Sequence, residues 1–430
     1  MSKSASSYLA DVSLPRGAHD LLPAACRRWR AMRADLLKRF ESWGYQQIRT
    51  PIIEYFELLG RGLDDAEAER CIRFMEPDSG KLVALRSDIT PQVARLVAQR
   101  VGGSVRADDQ IRLCYAAATL SVPTNNIEGA EHHQIGVELI GETAPHGDAE
   151  LIALCDEALC GSGLSSHRID LGETAILRSA LERLPASLQG VVRELMYRKD
   201  YAGLVEVLDH EAIEPDLGRA VAKLSQLYGE PLATLERARK DLAVLDVADE
   251  LDRLAAVIAA LEGIRPEACE RLELDLGEAR GHEYYTGFRL RVWAPGPGEP
   301  IIRGGRYDDL LAKYGASMPA SGLALDLDAL SLALSAAGVA PSDAPAPGCL
   351  FALESSADSP ELRRELLGLA RARREAGGRA WVELCADAGH AADRARRTGA
   401  SEYIWRSAAG QSTLHRLNPE GEFEVVPRQE

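Results

Sequence analysis

Glu131-His-His-Gln-Ile-Gly-Val-Glu138, running on to Ile140, is the stretch on which the reading of this chain turns. From 134 to 140 it is a largely apolar run of strand length, and the earlier run 110–115 has the same character. Between the two lies a polar segment carrying Pro123, Asn125, Asn126 and Gly129, which is turn chemistry. The pair predicts an antiparallel hairpin with a long connection. Adjacent histidines in a strand point to opposite faces, so His132 and His133 do not share one ion without distortion, and no metal site is predicted.

On either side of this hairpin the periodicity alternates between strand and helix. Trp29, Met32, Leu36, Leu37 and Phe40 recur at three- and four-residue spacing, so 25–43 is an amphipathic helix that Gly44 stops. Residues 45–53 alternate and contain Pro51, as in an edge strand. Residues 81–86 read as a strand, followed by a helix to 99 with Thr90 as N-cap and Pro91 in the first turn. Residues 148–160 are helical. Residues 174–265, rich in Ala, Leu, Glu and Arg, form an all-helical insertion. Strands return at 271–276, 286–293 and 300–302, and 320–337 is a strand running into a helix. These pieces assemble into a first domain over 1–337. A Pro/Ala-rich linker over 338–348 leads to a small α/β domain over 349–430, with strands at 349–353 and 380–384 and helices at 361–376 and 388–398.

The chain has 430 residues, enough for two or three domains. It carries 66 acidic against 50 basic side chains, a net charge of −16, which disfavours a protein whose main task is gripping a phosphate backbone. Its 8 cysteines form no CxxC pair, as in a reduced cytoplasmic protein. No secretion signal or membrane-length apolar run is visible, so cytoplasmic localisation is expected. GxxxxGK[ST], GxGxxG and GxSxG are absent, and no cofactor is predicted.

Four clusters carry the polar chemistry: Leu85-Arg-Ser-Asp-Ile-Thr-Pro91, the 131–138 stretch, Ala279-Arg-Gly-His-Glu-Tyr-Tyr-Thr-Gly287 and Arg303-Gly-Gly-Arg-Tyr-Asp-Asp309. An ammonium group wants acceptors such as Asp88 and Thr90, and a carboxylate wants a fork of donors such as Arg280. Gly304 and Gly305 fit a tight turn or a close backbone approach. In this order the clusters resemble the catalytic core of histidyl-tRNA synthetases, over about 12–335. Supporting pieces are Pro15-Arg-Gly-Ala-His-Asp-Leu-Leu-Pro23 and Pro51-Ile-Ile-Glu54, the latter similar to the dimer-forming motif 1. The resemblance implies an α+β fold of the class II synthetase type: an antiparallel sheet with flanking helices, a helical insertion and a C-terminal domain like a reduced anticodon-binding domain. It also implies a histidine-binding set. Asp88, in place of the usual Glu, and Thr90 would meet the α-amino group, and Gln134 the main-chain groups. Glu138 and Tyr285 would hold the ring, and Arg280, Tyr284 and Tyr307 would complete the wall.

The resemblance fails in the ATP half. Where the family's motif 2 reads Phe-Arg-His-Glu-Arg, this chain reads Tyr115-Ala-Ala-Ala-Thr119, which puts Ala116 at a phosphate-contacting arginine. Where motif 3 ends Gly-Leu-Glu-Arg, this chain reads Asp326-Leu-Asp-Ala329, so Ala329 replaces the second. One charge-stabilising donor is worth about 3 kcal/mol in a transition state, and two independent losses amount to ~10⁴-fold in rate. A synthetase-like chain with a kept amino-acid pocket and a lost ATP site resembles the regulatory subunits of ATP phosphoribosyltransferase. Those are non-catalytic chains that join a short-form catalytic subunit in a hetero-octamer and mediate histidine feedback on the first step of histidine biosynthesis. No catalytic residue, no tRNA and no membrane are then expected, and self-association as a dimer is. The alternatives are a histidyl-tRNA synthetase with an unusual ATP site, another synthetase-like amino-acid ligase, or a scaffold that binds no amino acid.

Overall fold

The computed structural model describes residues 14, 18–101, 109–123, 130–211, 213–279, 285–339 and 348–426. The chain divides into two compact units, 1–341 and 342–430. The linker reading falls largely on 340–347, outside the described residues, and Gly348 already belongs to a strand.

The first unit contains β1 (Gln46–Gln47), β2 (Ile53–Tyr55), β3 (Arg73–Met75), β4 (Leu82–Leu85), β5 (Ile111–Leu120), β6 (Glu131–Ile140), β7 (Arg168–Glu173), β8 (Tyr228–Gly229), β9 (Leu272–Asp275), β10 (Phe288–Trp293), β11 (Ile302–Arg306) and β12 (Ala320–Asp326). Among the described residues, nine of these form one sheet in the order β1-β5-β6-β12-β11-β10-β7-β9-β8, while β2-β4-β3 make a small separate sheet. The antiparallel hairpin is β5 with β6, in register from Ile111 opposite Ile140 to Leu120 opposite Glu131. The sheet is predominantly antiparallel, with β1–β5 and β7–β9 the parallel pairs among the described residues.

Cross-strand register decides which residues share a face, because side chains alternate strictly along a strand. One face carries the row Ala116, Ile135, Leu325, Ile302, Val292, Ile169 and Leu272. These pack into the main core with Met32, Leu36 and Phe40 of the helix Pro23–Ser42 and Ile152 and Leu159 of the helix Pro145–Gly161. The opposite face carries Leu113, Glu138, Gly322, Gly305, Arg289 and Gly172, and beside them Tyr115, Gly136, Ala324, Arg303, Arg291 and Asp170. Small residues down the middle of this second face leave a trough walled by polar ones.

Several expectations change. Of the expected strand 300–302 only Ile302 is in β11, which runs on through Gly304 and Gly305, so both glycines lie inside the sheet rather than in a turn. A Cβ on Gly304 would collide with the Gly322 carbonyl, so the glycine serves close backbone approach. The insertion is not wholly helical, since β8 interrupts its helices and pairs with β9. Thr90 is not the N-cap. Ile89 stands there without a side-chain cap, and the Thr90 hydroxyl is spent on Glu138 instead. No helix among the described residues is long and apolar enough to cross a membrane.

Under the sheet, Asp148 is fully buried on the helix Pro145–Gly161. It accepts from Arg306 and, at 2.7 Å, from Arg253 on the helix Ala248–Ile264. Arg306 also donates to the Glu142 carbonyl at 2.9 Å and to Asp308 at 3.1 Å. This ion cluster pins the end of β11, and the next residue, Tyr307, turns toward the trough.

In the second unit β13 (Gly348–Glu354), β14 (Arg379–Cys385), β15 (Glu402–Arg406), β16 (Ser412–Leu417) and β17 (Phe423–Val426) form a sheet ordered β14-β13-β15-β16-β17. The helix Pro360–Glu375 covers one face through Leu366 and Ala370, and the helix Ala388–Thr398 covers the other through Ala391 and Ala395. The strands at 402–426 extend the predicted α/β pattern with an antiparallel edge.

Candidate functional site

The trough is a cavity of about 720 Å³. Asp88, Thr90, Gln134, Tyr285 and Tyr307 all line it, so the structure brings together residues spread over 220 positions of sequence. Ala329 lines it too. Arg280 and Tyr284 lie outside the described residues.

Glu138, expected to hold the ring, is not itself among the residues lining the cavity. It is 1% exposed and forms the floor behind the lining residues. Its Oε1 accepts from the Thr90 hydroxyl at 2.9 Å and from the Tyr115 hydroxyl at 3.2 Å, and its Oε2 accepts from the Tyr307 hydroxyl. Gly322 is what makes room, since a Cβ there would collide with that carboxylate. Burial pushes Glu138 up to about 8 despite these hydroxyl donors, with the Asp88 charge adding to the rise. Asp88 is also raised by burial, which outweighs the Ile89 and Thr90 amides and the Gln134 side chain that donate to it. Gln134 Oε1 is sealed from solvent and has no hydrogen-bond partner among the described residues, an acceptor open to a donor.

Ala116 is misplaced in the sequence reading. It lies in the row of the apolar underside, opposite Ile135, and no side chain at that position can reach the trough. The residues of that segment which do line the cavity are Thr119 and Ser121. The expected loss of cations is also only partly right. Arg70, Arg289, Arg291 and Arg303 line the cavity. Each is already engaged: Arg70 by the Val122 carbonyl and Ser121, Arg291 and Arg289 by Glu278 at 3.0 and 3.8 Å, and Arg303 by Glu299 at 3.1 Å. An alternating Arg289/Arg291 pair in an otherwise apolar strand was the signal in the sequence.

The helix Leu327–Ala336 presents its N-terminus to this cavity, a position suited to an anion. Asp326 fills it from within. Its Oδ1 takes the Asp328 and Ala329 amides at 2.8 and 3.0 Å, and its Oδ2 pairs with His132 at 3.0 Å. Burial works against the Asp326 charge, yet His132 and the helix amides bring the carboxyl below its ordinary value. His133 pairs with Asp328 at 3.3 Å and meets Trp29 edge-on, so the two histidines do diverge.

The chain matches the histidyl-tRNA synthetase family profile over residues 17–330. In structure it resembles a histidyl-tRNA synthetase from Nostoc, with TM-score 0.74 at 20% identity over 97% of each chain. It also resembles an ATP phosphoribosyltransferase regulatory subunit/histidyl-tRNA synthetase from Bacillus halodurans, with TM-score 0.76 at 25% identity over 92% of this chain and 97% of that one. Relatives described as ATP phosphoribosyltransferase regulatory subunits are more similar in sequence. The one from Syntrophotalea carbinolica is 35% identical over 85% of this chain and 84% of its own length. The one from Geobacter metallireducens is 35% identical over 75% and 74%. The chain belongs to the ATP phosphoribosyltransferase regulatory subunit family, built on the histidyl-tRNA synthetase fold.

Among the described residues, one trio (Asp156, Cys160 and His167) has ligand-type atoms within 4.8 Å of one another. Asp156 is already engaged by His167 at 2.9 Å, Arg265 at 2.5 Å and Arg271 at 3.3 Å. Burial opposes its charge, yet these partners hold Asp156 at about 2. That is a structural ion cluster under the sheet, not an open metal site.

The buried glutamates give this regulatory-subunit fold a pH signature. Glu67, Glu138 and Glu173 are each pushed by burial from 4.5 to about 8. The folded state therefore holds protons that the unfolded chain releases near 4.5, so their contribution to stability is complete below that pH and is lost as pH rises through about 8. The thermal midpoint is expected to be lower at pH 8.5 than at pH 6, and the difference to shrink in Glu138→Gln, as a pH series of melts would record.

Proposed function

We propose that this chain is the non-catalytic regulatory subunit of ATP phosphoribosyltransferase. It activates a short-form catalytic subunit and mediates histidine feedback on the first step of histidine biosynthesis, in the cytoplasm. Its assembly is a hetero-octamer in which it self-associates as a dimer. The observation that carries this reading is the asymmetry of the cavity. One end keeps Asp88, Thr90, Gln134, Tyr285 and Tyr307 over Glu138. At the other, Ala329 follows a helix N-terminus already capped by Asp326.

An amino acid with an ammonium, a carboxylate and an imidazole matches the kept end. Asp88 and the orphaned Gln134 oxygen are acceptors for the ammonium. Tyr285 and Tyr307 flank the ring, whose N–H can take over a hydroxyl's place on Glu138. Arg280 and Tyr284 complete the proposed set. The ligand acts on the partner only by binding one assembly state more tightly than the other. A coupling of about 1–3 kcal/mol corresponds to roughly 5–150-fold modulation of activity.

A nucleotide fits the other end poorly. A triphosphate would have to displace Asp326 from the helix amides and pull arginines from their carboxylates. Histidine-dependent ATP–pyrophosphate exchange is therefore expected at the no-protein background. Sustained exchange would instead support the synthetase reading. Calorimetric titration with free L-histidine tests the sensor directly: heat and a thermal shift are expected, and no response at millimolar ligand, with or without partner, removes it.

A further inference from the structure

Beyond the residues already discussed, one end of the cavity wall carries Asp64, Glu67, Ser87 and Asp88 together. Glu67 lies on the short helix Asp65–Arg70 and closes a capping box: Asp64 Oδ1 accepts the Glu67 amide at 2.7 Å, and Glu67 Oε2 accepts the Asp64 amide at 3.2 Å. Two carboxylates on one cavity wall repel each other unless a cation lies between them. Burial comes first, and the Asp88 charge second, in pushing the Glu67 proton affinity up. The unpartnered Gln134 oxygen is sealed into the same wall, and its amide donates to Asp88.

We propose that Glu67 is a second carboxylate of the ammonium subsite, so that the ligand's three N–H donors are met by Asp88, Glu67 and the Gln134 oxygen. An ammonium group has three donors and no acceptor, so a tripod of acceptors from three separate elements satisfies it. The wall reaches from the helix Asp65–Arg70 through the turn before Thr90 to β6. A second carboxylate also makes up for the short Asp88 side chain, which alone spans less of the cavity than a glutamate. This inference rests on the histidine reading above and adds a specificity residue to it.

The test is calorimetric titration of the full chain and of Glu67→Gln with L-histidine, histamine and imidazole-4-propionate. Glutamine keeps the capping box through its amide oxygen and puts an N–H donor where the second carboxylate oxygen stood. Expected is a loss of about tenfold or more for histidine and histamine, both of which carry the ammonium, since a hydrogen bond to a charged group is worth about 1.5–3 kcal/mol. Imidazole-4-propionate, which lacks the ammonium, is expected to bind both proteins within about twofold. Histidine affinity unchanged in Glu67→Gln overturns the proposal, and so does an equal loss for all three ligands, which would mark a merely structural role. If the unaltered chain binds none of the three, the histidine reading itself fails.

Discussion

Glu138→Ala is expected to abolish measurable histidine binding while leaving the chain folded. This carboxylate is the shared acceptor of three hydroxyls, from Thr90, Tyr115 and Tyr307. Removing it takes away the group that fixes where two cavity-lining side chains point, together with the proposed acceptor for the ring N–H. One charged hydrogen bond is worth about 1.5–3 kcal/mol, or roughly 10–150-fold in affinity, and the loss of orientation adds to it. The fold is expected to tolerate the change because two of the three hydroxyls, those of Thr90 and Tyr307, belong to residues lining a cavity wide enough for water to replace the carboxylate. Removing a carboxylate that burial disfavours as an anion also relieves a cost at neutral pH. Glu138→Gln, which keeps the shape and one acceptor oxygen, is expected to retain part of the affinity. Titration of both variants beside thermal melts checks this. Native affinity in Glu138→Ala would move the ligand elsewhere in the molecule.

Asp148→Ala is expected to cost about 3–5 kcal/mol of stability, because breaking a buried pair leaves an uncompensated charge inside. Arg306, 3% exposed, would lose its fully buried carboxylate and keep only the half-exposed Asp308, and Arg253 would lose its tie to the same point. Burial already outweighs both guanidiniums in setting the Asp148 proton affinity above the ordinary value. The cluster is therefore costly to build as well as costly to break. Chemical denaturation of the whole chain should show an earlier midpoint for the unit that contains it. Because Arg306 and Tyr307 are consecutive residues on opposite faces at the end of β11, ligand affinity is expected to fall as well. A variant as stable as the parent would contradict the role given to this cluster.

Much of this architecture was legible from pattern. The β5–β6 hairpin was readable because its apolar runs flank turn chemistry. The cavity residues were readable because their spacing within the four clusters resembles a known arrangement. Other parts needed the register. Ala116 was misread because its strand runs ten residues, and only alternation along it shows that odd positions face the cavity. Thr90 looked like a cap because a hydroxyl before proline usually is one, and only the fold brings Glu138 within its reach. Gly304 and Gly305 fitted either a turn or a close backbone approach, and the crowding that decides for the second comes from strands distant in sequence. Glu67 gave no functional signal at all, since a capping box accounts for it locally and its neighbour Asp88 is 21 residues away.

The most direct test is the ATP phosphoribosyltransferase activity of a purified short-form catalytic chain, measured alone, with this chain, and with this chain plus L-histidine. Activity raised by the chain and suppressed by histidine is the predicted result, with Glu138→Ala still activating but deaf to ligand in the cavity. A catalytic chain indifferent to the presence of this protein, under conditions in which both are folded, would contradict the account.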